Sequence, residues 1–224
     1  MKELMLTLWR EHGLFQRIWG LAVPLRRICP CLTPNFLPMK PSTAHEIDFV
    51  KLYGLENYLL EVVNPRFQHE GAIGAFDFFC IVIWKANRAK SNVAKRLMRK
   101  GHKSLDEACQ TLTSQIHQAS TDKEKMKVLM EDWGFLLPMS SAILTVFYPE
   151  KFTVYDTRVC QMLKKYSTLK DIRSIDKLWP QYEDFIASVV KATPGIKGLR
   201  DKDRYLWGKS FHDQLKKDLK KQFS

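Results

Sequence analysis

From position 42 onward, apolar residues recur every three or four positions, the spacing that lays one face of a helix against a core. No window sustains the strict alternation of a half-buried strand. Ser42 or Thr43, with Glu46 three residues after Thr43, offers a capping box for a helix running to about 63, where Asn64-Pro65 should end it. A second helix is expected over about 72–90 and starts apolar on nearly every side, as a central buried helix does. Further helices are expected at 91–100, 104–118, 122–133, 138–147, 156–166, 176–192 and 201–222, separated by short polar or Gly/Pro breaks. Phe152-Thr153-Val154-Tyr155 is the one strand-like piece. The pattern predicts an all-α fold over 42–224, with no internal repeat.

Residues 1–41 follow a different rule. Leu4, Leu6, Leu8, Trp9, Phe15, Ile18 and Trp19 leave a loosely helical apolar pattern, which Gly20 and Pro24 interrupt. Prolines at 30, 34, 38 and 41 cannot continue a helix. An N-terminal helix followed by a proline-rich connector is expected, with a partner-binding or membrane-surface arm as the other reading.

Composition adds little to this picture, but charge adds a partner. Hydrophobic residues make up 45% and charged residues 27%, ordinary values for a chain with a real core. Lys+Arg is 36 against Asp+Glu 24, a net +12, which points to a polyanion such as nucleic acid. Between Asp77 and Asp106 there is no acid, but Lys85, Arg88, Lys90, Lys95, Arg96, Arg99, Lys100 and Lys103 are all present. The stretch 191–221 carries ten bases against four acids. Each run reads either as a solvated helix face or as a phosphate-tracking surface.

Other chemistry is sparse. The five cysteines are scattered, and neither they nor the six histidines fall at metal-ligand or triad spacing. Reduced thiols, no metal and no cofactor are expected, in a cytoplasmic protein (nucleoid-associated in a bacterium) without a secretory leader. The unbroken apolar run 78–84 is far short of the ~20 residues that span a bilayer, so no membrane partner is expected.

The informative stretch is Met130-Glu-Asp-Trp-Gly-Phe-Leu-Leu-Pro-Met-Ser-Ser-Ala-Ile-Leu-Thr-Val-Phe-Tyr-Pro-Glu-Lys-Phe-Thr-Val-Tyr-Asp-Thr-Arg-Val-Cys. It reads as helix, tight turn at Gly134, helix opened by Pro138, stop at Pro149, short extended piece, and then Asp156 opening another helix. Met139, Ala142, Ile143, Val146 and Phe147 should form the inner face of the second helix. Asp156 follows apolar Val154 and Tyr155, which puts it at the rim of the core. There it either caps backbone N–H groups or serves chemistry.

This stretch resembles the helix-hairpin-helix DNA glycosylases. Leu137-Pro138 to Leu144 looks like the hairpin and second helix of that superfamily, and Tyr155-Asp156-Thr157-Arg158-Val159 looks like its Val-Asp-Thr-His-Ile element. The resemblance covers about 131–163. It implies a two-lobed helical fold with a cleft, a hairpin at about 122–147, and a monomer that binds double-stranded DNA containing a modified base. Asp156 then carries over as the catalytic aspartate. A fixed carboxylate beside the sugar stabilises the oxocarbenium-like transition state as a flipped-out base leaves. Gly134, Pro138, Met139 and Ser140 would approach the DNA backbone, supported by Arg88, Lys90, Arg158 and Lys209.

The chain departs from the family pattern in three ways. The hairpin has one glycine where the family uses two. No lysine lies between Lys127 and Lys151, which excludes a Schiff base at the family's position and implies a monofunctional enzyme. The four-cysteine iron–sulfur loop is missing, since Cys160 is the last cysteine. Lys85, at the end of the most apolar helix, either snorkels to the surface or points into the cleft, there to hold a phosphate or act as a Schiff-base lysine outside the motif. Trp133 and Phe135 read as core or as a DNA wedge, and Arg158 as facing phosphate or solvent. In the last helix Tyr205, Leu206 and Trp207 should pack inward, with Arg200 and Lys202 outward. Two other readings stay open: a non-catalytic DNA-binding protein that kept the fold, and a helical interaction protein with a basic surface.

Overall fold

The computed structural model describes residues 49–222, and within them every regular element is helical. The expected N-terminal helix and connector, the CxC at Cys29 and Cys31, and the capping box at 42–46 lie outside the described residues. The helices are α1 (Phe49–Tyr53), α2 (Leu55–Tyr58), α3 (Asn64–Glu70), α4 (Ala75–Ala86), α5 (Lys90–Met98), α6 (Leu105–Gln118), α7 (Asp122–Lys127), α8 (Leu137–Phe147), α9 (Thr157–Leu163), α10 (Ile175–Ala192) and α11 (Leu199–Gln222).

The core is built around α8. Every residue from Ser140 to Phe147 is buried, so this helix is enclosed on all sides rather than on the one face its pattern predicted. Phe147 stacks on Phe67 of α3, with ring centroids 3.8 Å apart. The last carbonyls of a helix have no partner within it. Here Asn64 Nδ2 donates to Val146 O (2.7 Å) and Phe147 O (2.9 Å), and Gln68 Nε2 donates to Phe147 O (2.5 Å).

Those contacts explain one correction to the sequence reading. Asn64-Pro65 does not end its helix. The chain passes through a wider π turn, Leu59–Val63, and continues to Gly71, which closes it at φ 72°. Pro65 has no N–H to donate, and it sits in the first turn of the new segment, where none is needed. A second correction lies at the far end of α4. The expected helix over 72–90 breaks at Ala86 (φ −163°, ψ 84°) and restarts through the tight turn Asn87–Ala89 into α5. Neither Gly nor Pro marks that break. It leaves Lys85 in the last turn of α4, where a cation is favoured by the helix dipole.

The strand-like piece at 152–155 is extended but pairs with no strand among the described residues. Its buried backbone groups still need partners, and side chains supply them. Tyr182 Oη of α10 donates to Thr153 O (2.6 Å) and accepts from Thr153 N (3.3 Å). Asp203 Oδ2 accepts from Val154 N (3.0 Å) and from Thr153 Oγ1 (2.8 Å). Ser141 Oγ of α8 accepts from Tyr155 N (2.9 Å). Three helices thus fix Thr153, Val154 and Tyr155, which lead into Asp156.

Removing one of these partners should be costly. Tyr182→Phe keeps the ring and strands the buried Thr153 carbonyl, for a loss of about 1–3 kcal/mol. Urea denaturation should show a lower midpoint at an unchanged m-value.

Candidate functional site

Asp156 caps α9, its Oδ1 accepting from Arg158 N at 3.0 Å. Its Oδ2 accepts from Lys85 Nζ at 3.0 Å, and the same ammonium donates to Tyr155 O at 3.2 Å. The two residues lie 71 positions apart in the chain, and the break at Ala86 together with the fixed 152–155 segment brings them together. Their side chains are 13% (Lys85) and 28% (Asp156) exposed, so the pair is sheltered but reaches solvent. Burial pushes the Asp156 carboxyl up. The Lys85 charge and the Arg158 N–H outweigh it and hold the group below the usual carboxylate range. Asp156 is therefore ionised at neutral pH.

The pair forms part of the wall of a pocket of about 490 Å³. Trp84, Val154, Val159 and Trp207 give it an apolar side. The opposite character comes from an ionic ladder on the first turns of α11. Arg200 is held between Glu56 and the buried Asp203, and lies 5.1 Å over the Trp84 ring. Arg204 reaches Glu56 at 3.2 Å and Asp201 at 2.7 Å. Burial pushes the Asp203 carboxyl up, against the pull of Arg200.

This ladder corrects the expected orientation of the last helix. Arg200 points inward, Lys202 is partly buried and donates to Thr193 O (2.7 Å), and of the three aromatic and aliphatic residues only Leu206 is buried. Tyr205 and Trp207 are about half exposed. The inner face runs through Leu199, Asp203, Leu206 and Ser210, so a buried carboxylate sets the register that hydropathy assigned to aromatics.

The tight turn between Asp132 and Leu137 is present, with Gly134 in the left-handed region at φ 68°. Two of its N–H groups, and two more at the start of α8, are used internally. Trp133 N donates to Val128 O (3.0 Å), Phe135 N to Leu129 O (2.8 Å), and Met139 N and Ser140 N to Leu136 O (3.0 and 2.9 Å). Ser140 is fully buried and its hydroxyl has no partner, so that side chain faces the core rather than a phosphate. Pro138 and Met139 are half-buried, and Leu136 is the exposed tip. Trp133 and Phe135 are core residues, which removes the wedge reading. A Cβ on Gly134 would lie 2.9 Å from the Arg96 guanidinium, so a base of the acid-free run comes directly against the turn.

The structure thus brings Lys85, Asp156 and Arg158 together and leaves Gly134, Pro138 and Met139 on a separate turn. Arg88 and Lys90 are exposed beside the α4–α5 break. Lys209 is exposed and lies 3.4 Å from Asp213. Glu56, Trp84, Arg200 and Asp203 were not foreseen. Glu56 and Arg200 are 144 positions apart, and no local pattern links them. Among the described residues no group of three or more His, Cys, Asp or Glu is placed to hold a metal ion. None of the helices there is long and apolar enough to cross a membrane. Comparison with models of known protein families, with curated proteins and with solved structures gave no match for this chain.

The Lys85–Asp156 pair makes a pH prediction. A depressed folded pKa contributes stability that is present above the unfolded value of about 3.9 and is lost as pH falls through the folded value. Lys85→Ala should raise the Asp156 carboxyl, followed by carbon-detected NMR titration, and should remove this contribution from the acid limb of a stability–pH curve.

Proposed function

We propose that this chain is a monofunctional DNA N-glycosylase with a helix-hairpin-helix, two-lobed architecture. It acts as a monomer on double-stranded DNA containing a modified or damaged base. The observation that carries the reading is an ionised carboxylate at a helix mouth, held by a lysine on the wall of a pocket large enough for a small ligand.

In this reading the target nucleotide swings out of the stack and its base enters the pocket between Trp84 and Trp207. The sugar then lies against Asp156. As the bond from C1′ to the base breaks, positive charge grows on the sugar ring, and the carboxylate stabilises it without prior proton transfer. A water adds to C1′ and gives up a proton, the base leaves with a proton, and an abasic site remains. Lys85 keeps Asp156 ionised and aimed. It is a positioning residue, and its hydrogen bonds to Asp156 and Tyr155 support that role over the Schiff-base alternative. The bases of α4–α5, with Arg88 and Lys90 exposed, supply phosphate contacts. A cytoplasmic or nucleoid location accords with this substrate.

One observation favours a second reading. Both carboxylate oxygens of Asp156 already accept hydrogen bonds from the chain itself, as in a DNA-binding protein without chemistry.

Incubation with duplexes carrying a panel of oxidised, alkylated, deaminated and otherwise modified bases, read by mass spectrometry of released base, separates the two. We expect release from at least one duplex, reduced roughly 10²–10³-fold by Asp156→Asn with duplex binding retained. Undiminished release in that variant overturns the role of Asp156. Salt-dependent duplex binding with no release from any duplex leaves the non-catalytic reading.

A further inference from the structure

Two rings on α11 sit face to face on the surface. Trp207 and Phe211 are 5.7 Å apart between centroids and within 8° of parallel. They are 44% and 46% exposed. The Arg158 guanidinium lies 5.3 Å from the Trp207 ring centre and 5.6 Å from that of Phe211. Among the described residues Arg158 takes part in no carboxylate ion pair within 4.0 Å, although Asp156 is two positions away. Trp207 also lines the pocket beside Lys85 and Asp156.

A large exposed aromatic pair is costly to leave in water, and a packed core does not explain it. A cation over its face suits a ligand that carries both flat rings and negative charge. A nucleic acid strand has both. Within a duplex each base face is covered by its neighbours, so an unpaired base is the one best placed to lie on an external ring. The net charge of +12 is of the sign such a strand requires.

We propose that Trp207, Phe211 and Arg158 form a stacking platform for an unpaired nucleotide, so that the chain binds single-stranded DNA next to its pocket. The inference goes beyond base excision and needs none. Where the excision reading also holds, the platform would keep the strand open beside the pocket, a role that the buried Trp133 and Phe135 do not fill.

The test uses the full chain and three labelled probes in fluorescence anisotropy: a short oligothymidylate, an abasic oligomer with the same number of phosphates, and an unmodified duplex of equal length. We expect oligothymidylate to bind tighter than both others. Trp207→Ala and Phe211→Ala should each weaken it about tenfold, with Trp207→Phe restoring most of the loss. The abasic oligomer should be indifferent to these changes. Both aromatic residues are half exposed, and thermal unfolding of each variant confirms that it is folded. Equal binding of oligothymidylate and abasic oligomer, or alanine variants that bind like the wild type, overturns the proposal. So does a dimer, seen by sedimentation, that Trp207→Ala dissolves, since the stack would then join two copies of the chain. None of the probes contains a modified base, so failure here leaves the excision reading untouched, and the reverse holds as well.

Discussion

A single buried carboxylate organises the surroundings of the candidate site. Asp203 is almost wholly enclosed, yet it accepts from the Thr153 hydroxyl, the Val154 amide and the Arg200 guanidinium. It does for an isolated extended segment what a neighbouring strand does in a sheet. A lone extended piece inside a helical protein leaves N–H and C=O groups without partners, and each such group left bare is costly. Asp203 meets that need from one side, Tyr182 from a second and Ser141 from a third. The backbone of the segment is tied at three residues as a result, and those ties fix the direction from which Asp156 enters its helix.

The same carboxylate draws Arg200 inward, and Arg200 in turn fixes Glu56, which also accepts from Arg204. The ionic ladder and the Lys85–Asp156 pair are therefore two walls of one pocket, connected through residues 153–156. The arrangement couples the packing of the segment to the position of Asp156. Loss of Asp203 would release the backbone that positions Asp156 and would strip Arg200 of one of its two partners. A buried cation with too few partners is itself strongly destabilising.

Helix positions were readable in the sequence because they follow from apolar spacing, which is local. The helix over 137–147 came from that signal, though only one buried face was expected of it, and Asp156 stood out separately, as an Asp opening the next helix. Lys85 stood out for a similar reason, as a charge closing an apolar run. What the sequence hid were pairs set by the tertiary fold. The partnership of Lys85 with Asp156 spans 71 positions and that of Arg200 with Glu56 spans 144. Pattern reading also turned α11 the wrong way, because it ranks Trp207 above Asp203 for burial. Three hydrogen-bond donors reversed that order. The break at Ala86 was hidden too: no Gly or Pro marks it, and Asn87 is its one turn-favouring residue.

The proline at 65 has one more effect. Asn64 closes the end of α8 with its carboxamide, a role that an aspartate in its place would oppose by setting a negative charge against carbonyl oxygens. Asparagine ages into aspartate when the amide nitrogen of the following residue attacks its side chain and forms a cyclic imide. Pro65 has no such N–H to attack with. Pro65 therefore shields the clasp on the central helix from that route of slow chemical decay.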